Sequence, residues 1–239
     1  MDYKYVRTKL FGRAPNMWYD TVFGLRVLRL TAEINRKTGR CDKSLKALSK
    51  ANADTVILSE DFPSRGQFRV REPKLTGVYE KLLPRIIECH DLRGETALLI
   101  AGAGPCSVDM LRLLAQRYRY VITRGIPRTE LERLQRVAGA SVVAEPAEKK
   151  IEKAELAVLL RRSEPVELPA HCIMLTADKR NAEYAEYSKY IELPELDAPG
   201  HTPPGFDRQL LLSEALRRGA LPLERLVVGY SQILTKLHK

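Results

Sequence analysis

The segment Leu98-Leu99-Ile100-Ala101-Gly102-Ala103-Gly104-Pro105-Cys106-Ser107 leads from an apolar run through Gly-x-Gly-x-x-Ser into an amphipathic stretch. A glycine turn between a strand and a helix is suited to hold a phosphate. The first glycine allows the tight turn, the second lets the backbone approach a pyrophosphate, and the third position must be small so that helix and strand can pack. Ser107 is small enough for that position. Free N–H groups at the start of the helix, aided by the helix dipole, attract an anion. Pro105 removes one of those donors but suits the first helical turn. The P-loop spacing, Gly-x-x-x-x-Gly-Lys-Ser/Thr, does not occur in the chain. The plain reading of the same residues is a tight strand-to-helix turn with no ligand.

The next apolar run ends Val121-Ile122-Thr123-Arg124-Gly125-Ile126-Pro127-Arg128. An NAD site usually carries Asp or Glu here for the ribose 2′-hydroxyl. Two arginines bracket the place instead, and guanidinium forks suit phosphate oxygens. Arg124 and Arg128 therefore favour NADP over NAD, and the missing acid argues against S-adenosylmethionine. Two solvated surface arginines are the plain alternative. Together with Leu92-Arg93-Gly94 and the glycine turn, Thr123 to Arg128 resembles the NADP-binding half of shikimate dehydrogenase-like proteins, over about residues 91–145. That family carries Asn-Arg-Thr-x-x-Arg/Lys after its glycine turn. The resemblance implies that Arg124 and Arg128 meet the 2′-phosphate, with Thr123 in place of the Asn and Gly125 in place of the Thr. The family's proton-transfer Lys and Asp have no recognisable counterpart within residues 1–90, so no catalytic residue carries over. The cofactor-binding set is thus Gly102, Gly104, Ser107, Thr123, Arg124 and Arg128.

Acid–base candidates come from loops after apolar runs. His201 lies in Ala198-Pro199-Gly200-His201-Thr202-Pro203-Pro204-Gly205, and Asp178 and Lys179 follow Ile173–Thr176. A Lys beside a carboxylate can polarise a carbonyl; a solvated loop and a surface histidine are the plain readings. Cys89-His90 and His171-Cys172 invite a metal reading, but adjacent strand residues point to opposite faces, so no metal is expected. Cys106 and Cys172 read as core filling, although Cys106 near a helix start is placed for thiolate chemistry.

These groups need a framework. Short apolar strands are expected at 24–34, 55–58, 97–101, 120–123, 141–144, 156–160, 172–176 and 190–193. Helices are expected at 75–90, 107–116, 128–138 and 207–218, with a shorter one capped by Asp42 or Ser44. Pro84 should kink or restart the first of these. Residues 226–237 read as strand then helix, residues 59–74 as a loop or a ragged hairpin, and Tyr184, Tyr187 and Tyr190 as one helix face. Strands alternating with helices imply an α/β protein: a Rossmann-like three-layer parallel sheet over 93–239, preceded by a small basic β-α-β-containing region over 1–92.

The 239 residues carry a net charge of +10, are 44% apolar and 29% charged. That excludes a disordered chain and a membrane protein. Met1 leads into Asp2, Lys4 and Arg7 without an apolar run, so no signal peptide is expected. Four scattered cysteines form no disulfide framework, which makes a cytoplasmic protein the default. Residues 1–50 hold 12 basic and 4 acidic side chains and six of the 16 aromatics, so the charge is concentrated there. Basic residues among aromatics can bind nucleic acid or another polyanion; solvated cations around packed rings are the plain reading. The leading expectation is an NADP-dependent oxidoreductase with a small-molecule substrate. A non-catalytic nucleotide- or partner-binding module and a polyanion-binding N-terminal region are the alternatives, and a homodimer is among the expected assemblies.

Overall fold

The computed structural model describes residues 3–9, 17–33, 38, 40–42, 46, 55–58, 74–102, 104–138, 141–144, 151–161, 165–229 and 231–236. In chain order the elements begin with β1 (Tyr3–Lys9), β2 (Met17–Val22), β3 (Leu25–Glu33), β4 (Val56–Leu58) and α1 (Thr76–Cys89). Then come β5 (Gly94–Ile100), α2 (Pro105–Arg117), β6 (Tyr118–Arg124), α3 (Arg128–Ala138), β7 (Ser141–Ala144) and β8 (Leu156–Leu159). The last part holds β9 (Val166–Glu167), β10 (Ile173–Thr176), α4 (Lys179–Ala182), β11 (Ala185–Glu186), β12 (Lys189–Ile191), β13 (Leu196–Asp197), α5 (Arg208–Arg217), β14 (Val227–Val228) and β15 (Ile233–Thr235). No helix among the described residues is long and apolar enough to cross a membrane.

The chain forms two compact units. One combines Met1–Leu75 with Glu195–Gly229, the other Thr76–Pro194 with Tyr230–Lys239. The first holds a four-stranded sheet in the order β2-β3-β1-β4, with β1 parallel to β3 and β4. β2 and β3 form a hairpin closed by the Val22–Leu25 pair. Its two loop residues, Phe23 and Gly24, sit at φ 49° and 78°, which matches the twist of the flanking strands. A Cβ on Gly24 would stand 2.8 Å from the carbonyl oxygen of Ala220, so glycine is needed there twice over. In the same unit α5 is capped by Asp207, whose carboxylate accepts from the N–H groups of Gln209 and Leu210 at 2.7 and 3.3 Å. The short helix expected after Asp42, the turn at 35–40 and the loop at 59–74 fall largely outside the described residues.

The second unit is built on a mixed but mostly parallel seven-stranded sheet, in the order β15-β12-β10-β8-β5-β6-β7. Only the edge strand β15 is antiparallel to its neighbour. From β5 the chain moves outward through β6 to β7, then returns to β8 beside β5 and moves the other way through β10 to β12. The chain order therefore reverses between β5 and β8. The centre of the sheet is dry: residues 97–100 and 156–159 are all buried.

Alternation sends Leu98, Ile100, Ala157, Leu159 and Met174 to one face, where they join Ile151, Val166, Leu168, Cys172 and Ala185. Among the described residues that face is covered by the short parallel pair β9–β11 and its flanking loops rather than by long helices. Tyr187 and Tyr190 pack against this cluster edge to face, with ring centroids 5.8 Å apart. They do so from a loop and from β12, with Tyr184 in a turn, which replaces the expected helix face. The expected tail helix is also replaced, by β15 pairing with β12. A short apolar run has no periodicity that separates the two.

α1 packs against α2 and β10, and it runs unbroken through Pro84. The proline cannot donate to the carbonyl of Glu80, a loss of about 3 kcal/mol in a helix interior. Burial of Val78, Leu82, Leu83, Ile86 and Ile87, at about 1.5–3 kcal/mol for each side chain, outweighs it.

Candidate nucleotide site

The glycine turn lies where β5 ends, at the strand beside which the chain order reverses. Two backbone bonds fix it on either side. The N–H of Ala101 donates to the carbonyl of Arg124 at 3.0 Å, and that of Leu160 to the carbonyl of Ile100 at 2.8 Å. The ends of β5, β6 and β8 are thereby held level. Gly104 is the residue before α2, at φ 151° and ψ 164°, with Pro105 in the first helical turn. That backbone is one that only glycine adopts at little cost. A Cβ on Gly104 would meet no atom of the described residues within 4 Å, so among them the space above the turn is open. Gly104 has no side chain with which to cap the helix, leaving the start of α2 suited to an outside acceptor. Ser107 is buried with Met110, Leu111 and Leu114 on the inner face of α2, where a larger side chain would push the helix off the sheet.

The residues after β6 divide by environment. Thr123 is buried, and its hydroxyl donates to the carbonyl of Val143 at 3.4 Å. Arg124 is only 6% exposed. Arg128 opens α3 with a side chain 90% exposed and pairs along its own helix with Glu132, Nε to Oε1 3.0 Å. An exposed pair of this kind contributes a few tenths of a kcal/mol, so the guanidinium can readily exchange Glu132 for another anion.

A further arginine stands at the turn without any signal in the local sequence. Arg161 follows β8, and its guanidinium lies over both Gly102 and Gly125. A Cβ on Gly102 would be 3.4 Å from Nη1 of Arg161. One on Gly125, which has φ 81°, would be 2.7 Å from Cζ of Arg161 and 2.8 Å from the carbonyl oxygen of Ala101.

Asp178 and Lys179 follow β10, on the same carboxyl rim. β8 lies between β10 and β5, so the two sites are roughly 10 Å apart across the sheet. Asp178 caps α4 by accepting from the N–H of Arg180 at 3.0 Å and pairs with that residue's guanidinium. Lys179 is exposed. Glu80 of α1 faces Asp178. Burial first, and then the Asp178 charge, hold its carboxyl above the usual range. This carboxylate pair was not evident in the sequence, because the two residues are almost a hundred positions apart. His201 belongs to the first unit, where it is exposed.

The cysteine–histidine pairs are separated in environment. Cys172 is buried while His171 is exposed, and burial, followed by the charge of Glu155, pushes the Cys172 thiol up to about 12. That favours a protonated, core-filling thiol. His90 Nε2 shares a 2.7 Å hydrogen bond with Oγ of Ser231. In the first unit, the exposed rings of Trp18 and Tyr19 are each covered by a guanidinium from β3, Arg29 at 5.2 Å and Arg26 at 4.4 Å. Arg29 also pairs with Asp20 at 2.9 Å.

No protein-family model matches this chain, and no curated protein matches it in sequence.

Proposed function

We propose that the second unit is a Rossmann-like module that binds a dinucleotide, with NADP as the form its arginines favour. On this reading the protein is an NADP-linked oxidoreductase acting on a small molecule. The observation that carries the reading is the glycine turn, with Gly104 at φ 151°, at the end of the strand where the sheet order reverses. Six parallel strands in the order β7-β6-β5-β8-β10-β12 follow the arrangement of dinucleotide-binding sheets. Ligands of such sheets bind outside the carboxyl ends of the strands at the reversal. The open space above Gly104 suits a pyrophosphate, and a side chain there would fill it.

Arg128 would bind the 2′-phosphate, exchanging the exposed, singly charged Glu132 carboxylate for a doubly charged phosphate. Arg124 would support the same region from beneath, contributing positive charge at low exposure. NADPH held here would supply a hydride. Lys179 is the candidate to donate a proton to a carbonyl oxygen, since Asp178 is committed to Arg180 and the cap of α4.

Calorimetric titration of the full chain with NADPH and with NADH tests the reading. NADPH should bind more tightly than NADH. Arg128→Ala should weaken NADPH by about tenfold or more and leave NADH unchanged. No heat of binding at millimolar NADPH would overturn the dinucleotide assignment. An unchanged preference in the variant would overturn the role of Arg128.

A further inference from the structure

Arg161 is placed by pairing rather than by any local motif. β8 lies beside β5, and the Leu160 N–H to Ile100 carbonyl bond carries that register to the residue just before Arg161. The side chain then crosses the mouth of the glycine turn. Two glycines from two different loops make room for it: Gly102 after β5 and Gly125 after β6. At Gly125 a methyl group would overlap both the guanidinium, which could swing aside, and the carbonyl oxygen of Ala101 at 2.8 Å, which could not. None of the acidic side chains described in the structure forms an ion pair with Arg161, unlike Arg128, Arg180, Arg208 and Arg217, which are each paired. The side chain is exposed, with Nη1 lying beside Gly102 and Nη2 beside Gly125. A planar fork of N–H donors held beside a glycine backbone matches the oxygens of a diphosphate.

From this geometry we infer that Arg161 is the residue that grips the pyrophosphate, a specificity-determining contact for diphosphate-bearing ligands. The inference rests on the dinucleotide reading of the same crevice and assigns it a third arginine with a separate task. Arg128 reads the 2′-phosphate, and Arg161 reads the diphosphate common to NADPH, NADH and ADP. Gly102 and Gly125 then serve the site indirectly, by leaving the space that Arg161 occupies.

The test is titration of the parent chain and of Arg161→Ala with NADPH, NADH, ADP and adenosine 2′-monophosphate. Arg161→Gln serves as a second variant of similar length, and circular dichroism shows that both remain folded. Loss of a charge-assisted contact should weaken NADPH, NADH and ADP alike by about 10- to 100-fold. Adenosine 2′-monophosphate, which has no diphosphate, should bind the variants and the parent equally. If the parent binds NADPH and both variants bind it within twofold of the parent, the role of Arg161 is overturned and the dinucleotide reading stands. If the variants lose adenosine 2′-monophosphate as much as ADP, the guanidinium is a general anion attractor and the diphosphate assignment is wrong. If the parent binds none of the four, the dinucleotide reading itself fails, and this inference with it.

Discussion

Gly125 combines a left-handed backbone, at φ 81°, with neighbours that leave no room for a methyl group. Strain of that backbone alone costs about 1–3 kcal/mol in a residue with a Cβ. Contact with Ala101's carbonyl oxygen adds to it, because a strand end held by a backbone hydrogen bond cannot easily yield. Gly125→Ala should therefore lower stability by at least that amount in urea unfolding, and a change under 0.5 kcal/mol, about the scatter expected of surface substitutions, would contradict the close packing. Gly102 and Gly104 could be found from sequence, since their spacing follows from the turn they make. Arg161 could not, because what places it is the pairing of β8 with β5 across sixty residues. The burial of Arg124 was hidden for a related reason. A cation at a strand end reads as solvated unless the neighbouring strands are known, and here Arg124 lies opposite Ile100 of β5.

Among the elements, the long helices were readable because 3.6-residue periodicity is strong over ten or more positions. α3 spans Arg128–Ala138, as the pattern predicts, and α5 starts after its Asp207 cap. β1 and β2 carry no clear strand signal in the sequence. Their alternation of basic and aromatic residues, Tyr3-Lys4-Tyr5 above all, resembles a ligand surface as much as a pleated strand. β9, β11 and β14 are two residues long, too short to leave a pattern. The packing of α1 against β10 has an electrostatic consequence that pH reveals. Glu80 holds its proton more tightly in the folded protein than in the unfolded chain, through burial and the nearby Asp178. Its contribution to stability is greatest in acid and is lost as pH rises, because the unfolded chain ionises first. Glu80→Gln should accordingly stabilise the protein at neutral pH, and that gain should disappear below the usual carboxylate range, near about pH 3. Urea unfolding of both forms across this interval reads the difference, and a gain independent of pH would contradict the assignment.

For the molecule as a whole, the first unit is assembled from Met1–Leu75 and Glu195–Gly229, so residues far apart in sequence fold together. Reading along the chain finds breaks in pattern, such as Asp91 to Gly94, but not the return of a distant segment. Burial in a shared core decides that, and apolar positions carry no label of which core they join. The net charge of +10 is concentrated in the first fifty residues, whereas the proposed ligand site relies on a few arginines placed at strand ends in the other unit. Hydrogen exchange of the full chain with and without saturating NADPH separates these two features and tests the central claim directly. Binding at the glycine turn predicts slowed exchange across residues 99–108 and 159–161, with residues 17–33 unchanged. Unchanged exchange at the turn, with slowing confined to residues 17–33, would contradict it.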